Sequence, residues 1–168
     1  MAVAALVLWW NRSSARGNVD FNNLNEPVDS LNAINNLYQV LNVTNDPNTG
    51  MPISTLQIKL LLSQALTETG LFTDYPNWTL VDGNNFSGIV AHGNYPPNIN
   101  GRFAKYTDIP AFVNDWIRIL NSNVHPIEAK DVNDFNERLQ TNGYYGSDNS
   151  VVYGNNLTNY FNLLSQVI

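Results

Sequence analysis

The sequence contains no cysteine and only two histidines among its 168 residues. Without thiols the chain forms neither disulfide bonds nor thiolate metal sites, so its core alone must stabilise the fold. His92 and His125 are too few and too isolated for a metal site, and no glycine-rich phosphate-binding motif is present. We therefore expect no cofactor and no bound metal, and we assign His92, in a predicted loop, at most a contact with substrate.

Charged residues are also scarce, at 13% of the chain, and the formal net charge is -6. No stripe of Lys and Arg could neutralise a phosphate backbone, so we expect no nucleic-acid partner. About one residue in six is asparagine, which favours turns, helix caps and hydrogen-bonding surfaces. A hydrophobic content of 43% over this length is enough for one domain with a sizeable core.

The first residues, MAVAALVLWW, form the longest apolar stretch outside the predicted core. A helix of about ten residues covers about 15 Å, roughly half of a bilayer core, so it cannot span a membrane alone. Arg12 and Arg16 follow this stretch instead of preceding it, unlike in a secretion signal. Two interpretations stay open: residues 1–16 associate with a membrane, a partner or a virion, or they form a helix packed on their own domain. We divide the chain into an apolar leader with a polar linker, residues 1–25, and one domain, residues 26–168.

Apolar spacing predicts mainly helices in the domain. A helix is expected from near Pro27, and an almost wholly apolar one begins at Ser54 or Thr55 and stops at Gly70. Asp108 is the predicted cap of a third helix. A fourth, whose apolar residues are Ile127, Val132, Phe135 and Leu139, closes at Gly143, and a last helix lies in residues 155–168. Residues 72–105 are rich in Pro and Gly, which predicts loops with one short hairpin. The expected fold class is α+β, predominantly α-helical, with this loop lobe beside a cleft.

Glu68 lies at the end of the apolar helix, in the segment TETG. Apolar neighbours and the negative end of a helix both disfavour an ionised carboxylate, so Glu68 should keep its proton longer than a surface acid. A general acid that protonates a leaving sugar oxygen needs this property. The spacing also fits a bland alternative, in which Glu68 is the first solvent-facing residue after the core stripe.

Three further segments follow TETG in order: GNNFSGI, GRFAKYTDIPAFVNDWIRIL and NGYYGSDNSVVYGNNLTNYFNLL. Together the four resemble the blocks of the bacterial glucosaminidase family of peptidoglycan hydrolases, glycoside hydrolase family 73. That family's pattern has a helix-ending E-S-G, an N-N-L-F-G-I, an F-R-K-Y-x-S before an amphipathic helix, and a late Y-x-x-D-x-x-Y. The resemblance runs from about Leu56 to Leu164, about two thirds of the chain.

The resemblance implies a lysozyme-like fold and cleavage of the β-1,4 bond between N-acetylglucosamine and N-acetylmuramic acid in peptidoglycan glycan strands. Glu68 matches the proton donor, and Tyr106 matches the motif tyrosine, which we place with the catalytic residues. The resemblance assigns contacts with the sugar or support of the cleft to Asn85, Phe86, Tyr145, Asp148 and Tyr153. An enzyme of this kind would be extracellular, periplasmic or virion-associated.

The chain departs from the family's pattern at the second acid. Several relatives carry that acid on a hairpin between the second and third blocks, but VAHGNYPPNING contains none. Asp82, on the loop after Glu68, is our candidate for positioning a water, as is Asp74. Alternatively, the substrate's acetamido group or 6-hydroxyl attacks the anomeric carbon, the latter as in lytic transglycosylases. A non-catalytic glycan-binding or virion structural protein also stays open. A second departure is Ser87, because Phe86-Ser87-Gly88 replaces L-F-G.

Overall fold

A computed structural model of the chain describes residues 20–21, 28–73, 83–91, 93, 96–97, 101–145 and 150–168. In this part of the chain, five α-helices follow one another: α1 (Val28–Val43), α2 (Thr55–Thr73), α3 (Ile109–Asn123), α4 (Val132–Thr141) and α5 (Ser150–Leu164). A 3-10 helix, Pro126–Glu128, joins α3 to α4. The predicted fold class, predominantly α-helical, is confirmed. Of the predicted leader and linker, residues 1–25, the structure describes residues 20 and 21, and Phe21 is buried. Among the described helices, none has the length and apolar character of a membrane span.

Helix α2 is the central helix of the core and packs against α1 and α5. Ser54 and Gln57 form a capping box at its start, because each side chain accepts a hydrogen bond from the other's backbone N–H. Its body is buried on nearly every side, as expected for a helix that is apolar all round. The buried apolar residues of α2 are Ile58, Leu60, Leu61, Leu62, Ala65 and Leu66.

The predicted stop of α2 at Gly70 is wrong by three residues, since the helix runs to Thr73. Gly70 has a φ of 50°, in the left-handed region that glycine adopts without steric cost. The backbone therefore changes to a left-handed conformation at Gly70, although the helix continues to Thr73. Glu68 lies two residues before this change, inside α2.

The later helices begin with side-chain caps where the sequence offers them. Asp108 caps α3, as predicted, by accepting a hydrogen bond from the Ala111 N–H at 2.8 Å. Asp131 caps α4 in the same way. Helix α5 begins at Ser150, five residues before the stretch predicted from spacing. Its first turns contain a glycine and two exposed valines, which are poor helix formers, whereas the helix as a whole packs against α2 and α4.

Short antiparallel pairings make the predicted hairpin lobe. Val90 bridges to Phe103, and Pro97 bridges to Ala104. The Ala104 N–H donates to the Ile89 carbonyl at 2.8 Å, and the Ala91 N–H donates to the Arg102 carbonyl at 2.9 Å. These bonds hold residues 89–91 alongside residues 102–104, next to the start of α3.

Candidate active site

A cleft of about 740 Å³ opens between the hairpin lobe and the helices. Four segments contribute to its wall: α2, the loop from residue 87 to residue 93, one face of α3, and the chain just after α4. A cleft of this volume is large enough for a few sugar rings or a drug-sized ligand. The described residues that line it are Glu68, Ser87, Gly88, Ile89, Val90, Gly93, Asp115, Arg118, Ile119 and Tyr144.

Glu68 lines this cleft from α2 and makes a hydrogen bond with α5. Its neighbours Thr67 and Thr69 turn their hydroxyls back onto carbonyls of the same helix, at 2.8 Å and 2.6 Å. The Glu68 carboxyl instead accepts a hydrogen bond at Oε1 from the Tyr153 hydroxyl, at 2.6 Å. One carboxyl oxygen is therefore pinned by a residue 85 positions further along the chain.

Burial raises the pKa of Glu68 above its ordinary value, and the hydrogen bond from Tyr153 partly opposes this. Burial also raises the pKa of Tyr153, and the negative charge of Glu68 raises it further. Tyr153 therefore remains protonated and acts as a donor. Glu68 stays neutral to a higher pH than an exposed glutamate, in agreement with the prediction from the sequence.

A second tyrosine, Tyr145, packs against the one that donates to Glu68. Tyr145 stacks on Tyr153 with ring centroids 4.1 Å apart, and its hydroxyl donates to Asn136 Oδ1 at 2.8 Å. Tyr145 is not among the described residues that line the cleft, whereas its neighbour Tyr144 is. The structure thus places Tyr145 behind Tyr153, and Tyr144 in the position where a sugar ring could contact an aromatic side chain.

Asn85 and Phe86, predicted to bind substrate or support the cleft, are buried behind its wall. The Asn85 side chain accepts from the Ile89 N–H at 2.9 Å and donates to the carbonyls of Ile89 and Ala104, at 2.7 Å and 3.0 Å. Phe86 packs on Phe112 of α3. Both residues therefore hold the lobe in place, and the residues after them, 87–90, face the cleft.

Tyr106 is also buried, and its hydroxyl donates to Asp115 Oδ2 at 2.9 Å. The other oxygen of Asp115, Oδ1, accepts from Nε and Nη2 of Arg118. Asp115, Arg118 and Ile119 occupy one face of α3, because residues three and four apart in a helix are neighbours. Tyr106 thus positions a charged pair in the cleft wall and is not itself among the described lining residues.

Sequence reasoning missed Asp115 and Arg118. Asp115 lies between Phe112 and Trp116, on the apolar stripe of α3, and an acid at such a position is a signal because unpaired charges are rarely buried. Ser87 is a third missed residue: its hydroxyl is buried in the cleft wall and makes no hydrogen bond within the described structure. Of the other predicted site residues, Asp82, His92 and Asp148 lie outside the described residues, as does Asp74. No group of acids and histidines in the described part of the chain could hold a metal ion.

Comparison with known proteins yields a structural likeness. No protein-family model matches the chain, and its sequence matches no curated protein. The fold is similar to that of the glycoside hydrolase domain from Salmonella typhimurium FlgJ, with a TM-score of 0.57 and 19% sequence identity. The likeness covers 83% of this chain and 90% of that domain. The resemblance noted from the sequence is therefore confirmed at the level of the fold.

Proposed function

We propose that this protein is a glycoside hydrolase that cleaves β-1,4 bonds between N-acetylglucosamine and N-acetylmuramic acid in peptidoglycan, with Glu68 as the general acid. The proposal depends above all on the environment of Glu68. Its carboxyl group accepts a hydrogen bond from Tyr153, lines an open cleft and has its pKa raised by burial. The glycoside hydrolase fold supports the same conclusion.

The hydrogen bond from Tyr153 indicates which oxygen of Glu68 would donate the proton. Oε1 already accepts from Tyr153, so the proton of the neutral acid belongs on Oε2. In the proposed step, Oε2–H protonates the bridging oxygen while the bond from that oxygen to the anomeric carbon breaks. The leaving sugar departs as an alcohol, Glu68 becomes a carboxylate, and positive charge develops at the anomeric carbon.

A second group must then supply an electron pair to the anomeric carbon. Asp115 is the second carboxylate among the described lining residues, but both of its oxygens already accept hydrogen bonds, from Tyr106 and Arg118. We therefore propose one-carboxylate chemistry, in which a group of the substrate forms the new bond to the anomeric carbon. The 6-hydroxyl would form a bond from O6 to that carbon and pass its proton to the Glu68 carboxylate, which gives the anhydro sugar. The acetamido oxygen would form a cyclic oxazolinium, which water opens at the anomeric carbon while Glu68 accepts the proton of that water. Asp82 stays a prediction for the positioning of water, and delivery to an envelope or phage particle by residues 1–16 also stays a prediction.

Digestion of purified peptidoglycan followed by mass spectrometry tests the reaction. We expect soluble disaccharide fragments, because cleavage of β-1,4 bonds shortens the strands. Borohydride reduction then identifies the sugar at each new end and hence the bond. Attack by the 6-hydroxyl gives an anhydro product one water lighter than the hydrolysis product. Binding to peptidoglycan without release of any fragment would contradict the enzymatic proposal and favour a glycan-binding protein.

Replacing Tyr153 with phenylalanine should change the pH profile. The hydrogen bond from Tyr153 lowers the pKa of Glu68, so its loss lets burial raise that pKa further. The alkaline limb of kcat/KM, which reports the general acid, should move to higher pH. The maximal rate should fall about 10- to 100-fold, because Oε1 loses a hydrogen bond that orients the carboxyl group.

Tyr145→Phe is the matched control for this variant. It removes the hydroxyl of the stacked partner, which bonds to Asn136 and not to Glu68. Its pH profile should keep the alkaline limb of the unmodified protein. An unchanged limb in Tyr153→Phe would contradict the assignment of Glu68 as the titrating acid.

A further inference from the structure

The cleft wall contains one cationic side chain among its described residues, that of Arg118. The chain as a whole has a formal net charge of -6, and the other charged groups described in this wall, Glu68 and Asp115, are acids. The side chain of Arg118 is 69% exposed, whereas that of Asp115 is 5% exposed. The cation is thus on the solvent side of the pair, and the anion is on the protein side.

A chain of contacts holds this guanidinium in place. Tyr106 is buried against Phe112 and orients Asp115, and Asp115 binds Nε and Nη2 of Arg118 through a single oxygen. These two bonds hold the guanidinium against the carboxylate of Asp115. A side chain fixed in this way loses less conformational entropy when it binds a ligand than a free one does.

Stability alone does not account for the pair. An ion pair whose cation is exposed to solvent contributes little to stability. Burial of the carboxylate has a desolvation cost that an apolar residue at position 115 would avoid. The pair is therefore better explained by a role of the Arg118 guanidinium in ligand binding than by a contribution to the stability of the fold.

We propose that Arg118 binds a carboxylate of the substrate in the same cleft where Glu68 acts. This inference rests on the proposed function. Guanidinium groups bind carboxylates through charge-assisted hydrogen bonds, which are stronger than neutral ones. Peptidoglycan offers such carboxylates from two sources: the lactyl group of N-acetylmuramic acid in peptide-free strands, and the stem peptide in intact strands. Chitin has neither, so Arg118 makes the cleft selective for muramic acid strands over neutral N-acetylglucosamine polymers.

Binding to the full chain with Glu68→Gln tests this inference, since that protein should hold glycans without cleaving them. Calorimetry would use three tetrasaccharides: a peptide-free N-acetylglucosamine–N-acetylmuramic acid oligomer, the same oligomer with its stem peptides, and chitotetraose. Adding Arg118→Gln should weaken binding of a carboxylate-bearing oligomer about 10- to 100-fold. Binding of chitotetraose should change by less than about twofold. Weakened binding of the peptide-free oligomer would identify the lactyl group as the source of the carboxylate, and weakened binding of the peptide-bearing oligomer would identify the stem peptide.

Two further variants make the result specific. Arg138→Gln is the matched control, because Arg138 also pairs with an aspartate one helical turn away, Asp134, but is not among the described residues of the cleft wall. It should bind all three glycans like its parent. Arg118→Lys keeps the charge and loses the planar fork, so it should fall between the parent and Arg118→Gln. If Arg118→Gln does not fold, the binding of Arg118→Lys to the same three glycans still tests the inference.

Three outcomes would overturn the inference. Equal weakening of all three glycans by Arg118→Gln would mean that Arg118 only maintains the wall. Unchanged binding of the carboxylate-bearing oligomers in both Arg118 variants would mean that the guanidinium does not contact them. Failure of the parent to bind any of the three glycans would remove the proposed function, and this inference with it.

Discussion

Replacing Glu68 with glutamine is expected to lower the rate of peptidoglycan cleavage about 10²- to 10⁴-fold, the usual contribution of a general acid. Glutamine has nearly the shape of glutamate, and its side-chain carbonyl can still accept the hydrogen bond from Tyr153. It has no proton to give to the leaving oxygen. The measurement is the release of soluble fragments from purified peptidoglycan at equal protein concentration, which counts hydrolysed and anhydro products alike.

The same variant should be at least as stable as the unmodified protein, and the difference should depend on pH. Burial raises the pKa of Glu68 in the folded state, so the folded protein binds a proton that the unfolded chain has released. The stability of the unmodified protein therefore declines as pH rises from the ordinary carboxyl range through the raised pKa. Glutamine does not titrate, so the two proteins should melt together at acid pH, and the variant should melt higher at alkaline pH.

Glu128→Gln is a suitable control for the loss of one acid. Glu128 is exposed, pairs with Arg138 and is not among the described residues of the cleft wall. This variant should retain full activity, because an exposed ion pair contributes little to stability. Retention of activity by Glu68→Gln, in the presence of a normal melting curve, would eliminate Glu68 as the proton donor.

Replacing Asn85 with alanine should give the largest loss of stability. The Asn85 side chain is fully buried and makes three hydrogen bonds, two with Ile89 in its own loop and one with Ala104 in the segment before α3. At about 1 kcal/mol for each bond, we expect a loss of about 2–4 kcal/mol in the free energy of unfolding. For a chain of this size that corresponds to a fall in Tm of about 5–15 °C. Thermal unfolding followed by circular dichroism provides the measurement.

The neighbouring asparagine offers a comparison within the same loop. Asn84 is partly buried, makes one side-chain hydrogen bond, to the Tyr106 carbonyl at 3.1 Å, and has a φ of 45°. Glycine tolerates that φ, so Asn84→Gly tests the loss of one bond without new backbone strain. It should cost less than about half of what Asn85→Ala costs. If the two variants were equally stable and Asn85→Ala lost glycan binding, Asn85 would be a ligand of the sugar and not a structural residue.

The position of Asn85 also shows how a motif can identify a region without identifying the role of each residue. The two asparagines of GNNFSGI match the family's pattern and Phe86 stands where the pattern has leucine, and the structure places Asn85 and Phe86 behind the cleft wall. Within this motif, Ser87 and the next three residues contribute to the cleft wall. The segment is a turn with left-handed backbone at Asn84 and Gly88, so neighbouring positions of one motif face different sides of the loop.

The sequence by itself determined the elements whose causes are local. Apolar spacing of three and four residues predicted the helices, and Asp108 was recognised as a cap because its partner, Ala111, is three residues away. The nearly unbroken apolar body of α2 required burial wherever the helix was placed. A raised pKa for Glu68 was also predicted from its apolar neighbours in the sequence.

Only the tertiary structure decided which distant side chains meet. The bond from Tyr153 to Glu68 joins residues 85 positions apart, and it depends on how α5 is rotated against α2. The assignment of Asp115 and Arg118 to the cleft, and of Tyr144 instead of Tyr145 to its wall, depends on which face each segment turns inward. Periodicity gives the relative directions of side chains on one helix, but it contains no information about the neighbour they face. That choice is made by the packing of the whole core.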